Sequence, residues 1–82
     1  MKDMADLRAG VLQALQQVAP ELDPATLAAD QPLRPQVDLD SMDWLNVIVG
    51  LHQRFGVDIP EADYERLTSL EAIVAYLAVR TG

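Results

Sequence analysis

Leu7, Val11, Leu15 and Val18 recur at helical spacing near the start of the chain, and Leu12 and Ala14 widen the apolar stripe. The pattern predicts a helix over residues 3–18. Ala19-Pro20 should end it, because the residue before proline avoids the α region. A connector over residues 20–39 follows, holding Pro20, Pro24, Pro32 and Pro35. Within it, Asp23-Pro24-Ala25-Thr26-Leu27 predicts a capped single helical turn with proline at its first position. Leu27, Leu33, Val37 and Leu39 are the residues that should tuck this connector onto the core. Loops this long are uncommon in small domains and are often functional.

The next apolar period predicts a second helix over residues 41–55, with Gly56 placed to terminate it in the left-handed conformation. Val57-Asp58-Ile59-Pro60 should be extended, since Ile59 precedes proline. A short helix is expected over residues 61–67. Thr68 and Glu71 have capping-box spacing, and the final helix they open should bury Leu70, Ile73, Val74 and Leu77. No alternating strand pattern is present. The expected fold is therefore all-α: a four-helix bundle of three main helices and one short one, with a long first loop, forming one domain over residues 1–82.

Composition narrows the function classes. The chain has no cysteine, which removes disulfides, thiolate metal sites and cysteine nucleophiles together. The start MKDMADLRAG has no continuous apolar run, and no segment approaches the roughly 20 apolar residues of a membrane span. A soluble, cytoplasmic monomer is the expectation. A formal charge of −7 argues against binding nucleic acid and favours basic protein partners.

The stretch VDLDSMDWL, residues 37–45, concentrates the candidate chemistry. Ser41 lies between Asp40 and Asp43 at the predicted start of the second helix. A hydrolytic serine needs a base within hydrogen-bond reach. The only histidine, His52, lies eleven residues along the same helix, or roughly 16 Å away at a rise of about 1.5 Å per residue. A Ser–His–acid enzyme is excluded for this chain alone, and His52 has no catalytic role. Asp38, Asp40 and Asp43 suggest calcium, but an EF-hand loop from Asp38 would meet Met42, Asp43 and Val49 where a ligand, glycine and glutamate are needed. That motif fails, and only loose divalent-ion binding stays open. Locally, Asp40 or Ser41 can cap the helix while Asp43 complements its dipole. Capping leaves room for a modification, because a hydroxyl at a helix start after a long loop is exposed.

Asp40-Ser41-Met42 at that position resembles the Asp-Ser-Leu signature of acyl carrier proteins. Phe55-Gly56-Val57-Asp58-Ile59-Pro60 and Thr68-Ser69-Leu70-Glu71 match the family's downstream pattern in order and spacing, so the resemblance covers nearly the whole chain. It implies that Ser41 receives a 4′-phosphopantetheine arm through a phosphodiester, and that the arm's thiol carries acyl groups as thioesters. A phosphopantetheinyl transferase would install the arm from coenzyme A, reading Asp40 and Asp43 beside Ser41. An acyl ligase, acyltransferase or ketosynthase would then load or unload it. The chain itself would be no enzyme. Aspartate before the serine resembles acyl carriers more than peptidyl carriers, although an amino-acyl cargo stays open.

The second helix also departs from the family. At about 100° per residue, Trp44, Val47, Ile48, Leu51 and Phe55 form an ordinary core-facing arc of roughly 100°. Met42, Leu45 and Val49 extend the apolar arc on the side beside Ser41. They are recognition candidates if exposed, unless the long loop covers them. The helix carries one carboxylate, Asp43, against Arg54, where the family usually has several acidic residues. A specialised carrier is implied. Trp44 should pack in the core. From the bundle's edge it would gate an acyl chain entering between the second and third helices, with Ile48, Leu51, Ile59, Ala62 and Leu67 as lining candidates. The rival reading is an unmodified helical interaction module docking through the apolar band.

Overall fold

The computed structural model describes residues 3–37 and 39–81. Asp38, one member of the acidic cluster, lies outside the described residues. Three long helices form the frame: α1 (Met4–Val18), α3 (Ser41–Phe55) and α4 (Leu70–Thr81). Between them lie a four-residue helix, α2 (Leu33–Gln36), and a 3₁₀ helix over Glu61–Arg66. The described residues contain no strand, only an isolated bridge between Pro32 and Ser69. None of their helices is long and apolar enough to cross a membrane.

Asp3 caps α1 by accepting from the Ala5 N–H at 3.2 Å, and the helix ends at Ala19, ahead of Pro20. The predicted stripe is the buried face: Leu7, Val11, Ala14 and Leu15 are enclosed, while Leu12 and Val18 are half-buried. α1 is the central helix and packs against both α3 and α4. Where α1 meets α3, Gly10 lies under the Phe55 ring, and an added Cβ would crowd that ring. Four residues on, Ala14 faces Gly50, so the two helices run antiparallel with small residues at their contact. Arg54 closes the same end by donating to Gln13 Oε1 at 2.6 Å.

The connector is more ordered than its prolines suggest. Asp23 caps the expected single turn through the Ala25 N–H at 2.9 Å. Leu33, Val37 and Leu39 are buried and Leu27 is half-buried, as their apolar character requires. The helix α2 is an addition to the expected elements, because Pro35 argues against helix there. In a four-residue helix, however, the proline occupies the first turn, whose N–H groups have no intrahelical acceptor to lose. Gln36 organises the rest. Its Oε1 accepts from Ala28 N–H at 2.7 Å, and its Nε2 donates to the carbonyls of Ala28, Gln31 and Pro32 at 3.0–3.2 Å. Leu33 N–H to Thr68 O (2.8 Å) and Glu71 N–H to Ala29 O (2.9 Å) fasten the connector to the start of α4.

That second bond corrects the expected Thr68–Glu71 capping box. The hydroxyl that caps α4 belongs to Ser69, which accepts from Ala72 N–H at 3.1 Å, while Thr68 is exposed. The expected short helix is a 3₁₀ helix ending at Arg66. Gly56 terminates α3 as expected, with φ 66° and ψ 26°.

Tyr76 adds a polar tie that the apolar pattern does not reveal. Its hydroxyl donates to Asp63 Oδ2 at 2.6 Å, and the Arg80 guanidinium stacks 3.6 Å from its ring centroid and reaches the same carboxylate at 3.5 Å. Burial, and then the hydrogen bond to Asp63, hold the phenol above its ordinary value of 10.0, against the pull of Arg80. An acid whose folded pKa is raised contributes stability below its unfolded pKa and loses it as pH rises through the folded value. Thermal melts from pH 8 to about 11 should therefore fall more steeply in the wild type than in Tyr76→Phe. Parallel curves would remove Tyr76 as the titrating group.

Candidate functional site

The helix α3 opens on a reciprocal cap. Asp40 has extended backbone, and its Oδ1 accepts from Asp43 N–H at 2.8 Å. The Asp43 carboxylate accepts in return from Asp40 N–H at 3.5 Å. Of the two cap candidates, Asp40 therefore takes the position and Ser41 is the first helical residue. This assignment has a chemical consequence. Ser41 is exposed, and its hydroxyl makes no hydrogen bond among the described residues. The first-turn N–H groups and the positive end of the helix dipole lie beside it.

The connector does not cover the apolar band. Met42, Leu45 and Val49 are 72%, 49% and 51% exposed. Ser41, Leu45 and Val49 are spaced four residues apart, so they share one helix face. Asn46, His52, Gln53 and Arg54 are also exposed. The His52 Nδ1 lies 3.0 Å from Val57 O and 3.5 Å from Asp58 Oδ1, a local tie across the α3 terminus.

Trp44 is buried in the core, yet it also lines a cavity of about 360 Å³ with Leu33, Tyr64 and Leu67. A second cavity, of about 330 Å³, is lined by Ile48, Ile59 and Tyr64 among others. The six lining candidates are thus divided. Trp44 and Leu67 belong to the first space and Ile48 and Ile59 to the second. Leu51 is fully buried in the core and lines neither, and Ala62 is exposed and lines neither. Tyr64, absent from the expected set, borders both. Its signal is its spacing of three from Leu67, the residue that caps the end of the 3₁₀ helix and donates its N–H to Tyr64 O.

Among the described residues, no three of His, Cys, Asp or Glu are grouped to hold a metal ion.

Residues 9–77 match the family described as "Phosphopantetheine attachment site". The chain belongs to that family. Curated relatives agree in kind. An acyl carrier protein of Rubrobacter xylanophilus is 27% identical over 73 residues, covering 85% of this chain and 90% of the relative. One from Campylobacter jejuni is 27% identical over 77 residues, 94% of each. One from Campylobacter hominis is 28% identical over 54 residues, 66% of this chain and 68% of the relative.

A phosphopantetheine attachment domain is a carrier and not a catalyst, and its cofactor is covalent 4′-phosphopantetheine. The group supplies a terminal thiol on which acyl groups are held as thioesters, a function this cysteine-free chain has no side chain to perform. The start of α3 fits such a group. It offers an accessible hydroxyl that is not engaged in capping, and a helix N-terminus that favours the negative charge of a phosphodiester.

Proposed function

We propose that Ser41 is the attachment residue and that the chain serves as an acyl carrier in a specialised lipid or polyketide pathway. The observation that carries this reading is the division of labour at the α3 start. The Asp40 and Asp43 carboxylates hold the helix end, leaving the Ser41 Oγ exposed for a phosphodiester. The same two carboxylates flank the hydroxyl and give a transferase charged marks to read. Incubation with a phosphopantetheinyl transferase and coenzyme A should raise the intact mass by one phosphopantetheinyl group. An unchanged mass with several transferases would leave the unmodified interaction module as the better reading.

The specialisation rests on the α3 surface. Its formal charge is zero, Asp43 against Arg54, and the face below Ser41 presents Met42, Leu45 and Val49. The acidity lies off α3: Asp58, Glu61 and Glu65 are exposed beyond its C-terminus, while Asp63 is engaged by Tyr76 and Arg80. Partners such as an acyl ligase, acyltransferase or ketosynthase would therefore meet an apolar band. Electrostatic steering raises association rates by about 10- to 1,000-fold. A ketosynthase adapted to an acidic carrier should accordingly show kcat/KM about tenfold or more lower with this chain. Equal turnover of the two carriers would remove the specialisation.

A further inference from the structure

Tyr76 has a second cation beside it. In addition to Arg80, the Arg66 guanidinium stands 6.0 Å from its ring centroid, about the outer limit of a cation–π contact. Between the 3₁₀ helix and α4, these three side chains border a cleft of about 460 Å³ that Ala72, Ala75 and Val79 complete. The two arginines differ in their surroundings. Arg80 is engaged by Tyr76 and Asp63, whereas Arg66 is exposed and forms no ion pair among the described residues. Val79 is 79% exposed, more than Met42, Leu45 or Val49 on the α3 band. In a chain of 13 acidic and 6 basic residues, a lining with two arginines and no carboxylate is a local reversal of charge. The clefts bordered by Trp44 and by Ile48 each include a carboxylate, Glu65 and Asp58.

We infer that this cleft docks an acidic, apolar segment of a partner protein, whose carboxylate pairs with Arg66 while a neighbouring aliphatic side chain covers Val79. The tie to Asp63 accounts for Arg80, but not for Arg66 or for the exposure of Val79. A guanidinium receives a carboxylate through two parallel hydrogen bonds, which fixes its orientation as well as its charge. Arginine and tyrosine are also the residues that concentrate binding energy at protein interfaces. The chain's net charge of −7 does not oppose such a partner at close range. At physiological ionic strength, exposed charges beyond about 8 Å are largely screened, so the two guanidinia dominate the field in the cleft. None of the lining residues lies on α3. The docking site is therefore separate from the helix that begins at Ser41, and the inference does not depend on attachment there.

The test titrates the full chain, labelled with nitrogen-15, with two probes. One is a capped six-residue peptide of alternating glutamate and leucine, and the other is the same peptide with glutamine in place of glutamate. The glutamate peptide should shift the amides of Ala72, Ala75 and Val79 and the Nε of Arg66, and should bind about fivefold or more tightly than the glutamine peptide. Arg66→Gln should weaken it by about fivefold, the upper end of what one exposed ion pair contributes. Val79→Ala should weaken it by about threefold, through the loss of two apolar carbons from the contact. Both positions are exposed, so both variants should keep the wild-type melting temperature. Arg80 is left unchanged, because its loss would also break the tie between Tyr76 and Asp63. Equal binding of the two peptides, shifts confined to Met42, Leu45 and Val49, or no response up to millimolar peptide would each overturn the docking site. Cleft amides that shift with protein concentration alone would give the cleft to a second copy of this chain, and so overturn it as well.

Discussion

Ser41→Ala should abolish the phosphopantetheinyl mass gain while leaving the fold almost untouched. The two effects separate because of where the cap lies. If Ser41 were the N-cap, its loss would cost about 1 kcal/mol, within a range of roughly 0.5–2 kcal/mol. Asp40 is the cap instead, and Ser41 is the first helical residue with an exposed side chain. Alanine is also the better helix former, by a few tenths of a kcal/mol. The melting temperature should therefore stay within about 3 °C of the wild type. Asp40→Ala is the informative contrast, since it retains the hydroxyl but should lose about 1 kcal/mol. A Ser41→Ala chain that still gained the full mass would place the attachment elsewhere. One that unfolded would assign the hydroxyl a structural part absent from this geometry.

Leu51→Ala should be the most damaging single change on the same helix. Leu51 is fully enclosed in the core, and it lines neither cavity. Truncating a buried leucine typically costs about 2–5 kcal/mol, from lost burial and the void left behind. For a domain this small that is on the order of 10–25 °C in melting temperature, and a large share of a total stability of roughly 4–12 kcal/mol. Val49→Ala, two residues away on the exposed band, should change stability by no more than about 0.5 kcal/mol. Denaturant melts of the two variants would measure the contrast. A Leu51→Ala loss as small as that of Val49→Ala would mean that Leu51 does not belong to the core.

The long helices were legible because each carries an apolar stripe with its own period and local punctuation. Pro20 and Gly56 mark ends that the backbone observes, and the residues expected on the buried face of α4 are buried. The errors occur where remote segments compete for a local group. Thr68 and Glu71 have the spacing of a capping box, but the Glu71 amide is taken by Ala29, more than forty residues earlier, and Ser69 becomes the cap. Nothing local announces that Gln36 will fasten the connector through four hydrogen bonds. The helix α2 holds Pro35 within its first turn, where a proline takes away no intrahelical hydrogen bond.

At the candidate site the same boundary holds. The motif around Ser41 was readable as residues, and the family match over residues 9–77 assigns the chain its class. The free state of the hydroxyl was not readable, because Asp40 and Ser41 were equal candidates for the cap until the Asp43 amide was seen to bond Asp40. The lining candidates were chosen by their apolar character, which cannot separate a residue that borders a cavity from one that fills the core. Leu51 is of the second kind, and Tyr64 joins the first, as a lining residue of both spaces.

By itself, then, the sequence determined an all-helical fold and a motif around Ser41 that resembles carrier domains, since helix period, capping residues and motif are all properties of neighbours along the chain. The tertiary structure decided that the connector leaves Met42, Leu45 and Val49 open, that Tyr76 is buried against Asp63 and Arg80, and that Trp44 and Ile48 border two different clefts beside α3. The reason is physical. Exposure and cavity shape depend on which distant side chains fill the same volume, and that is set only when the connector, the 3₁₀ helix and α3 pack together.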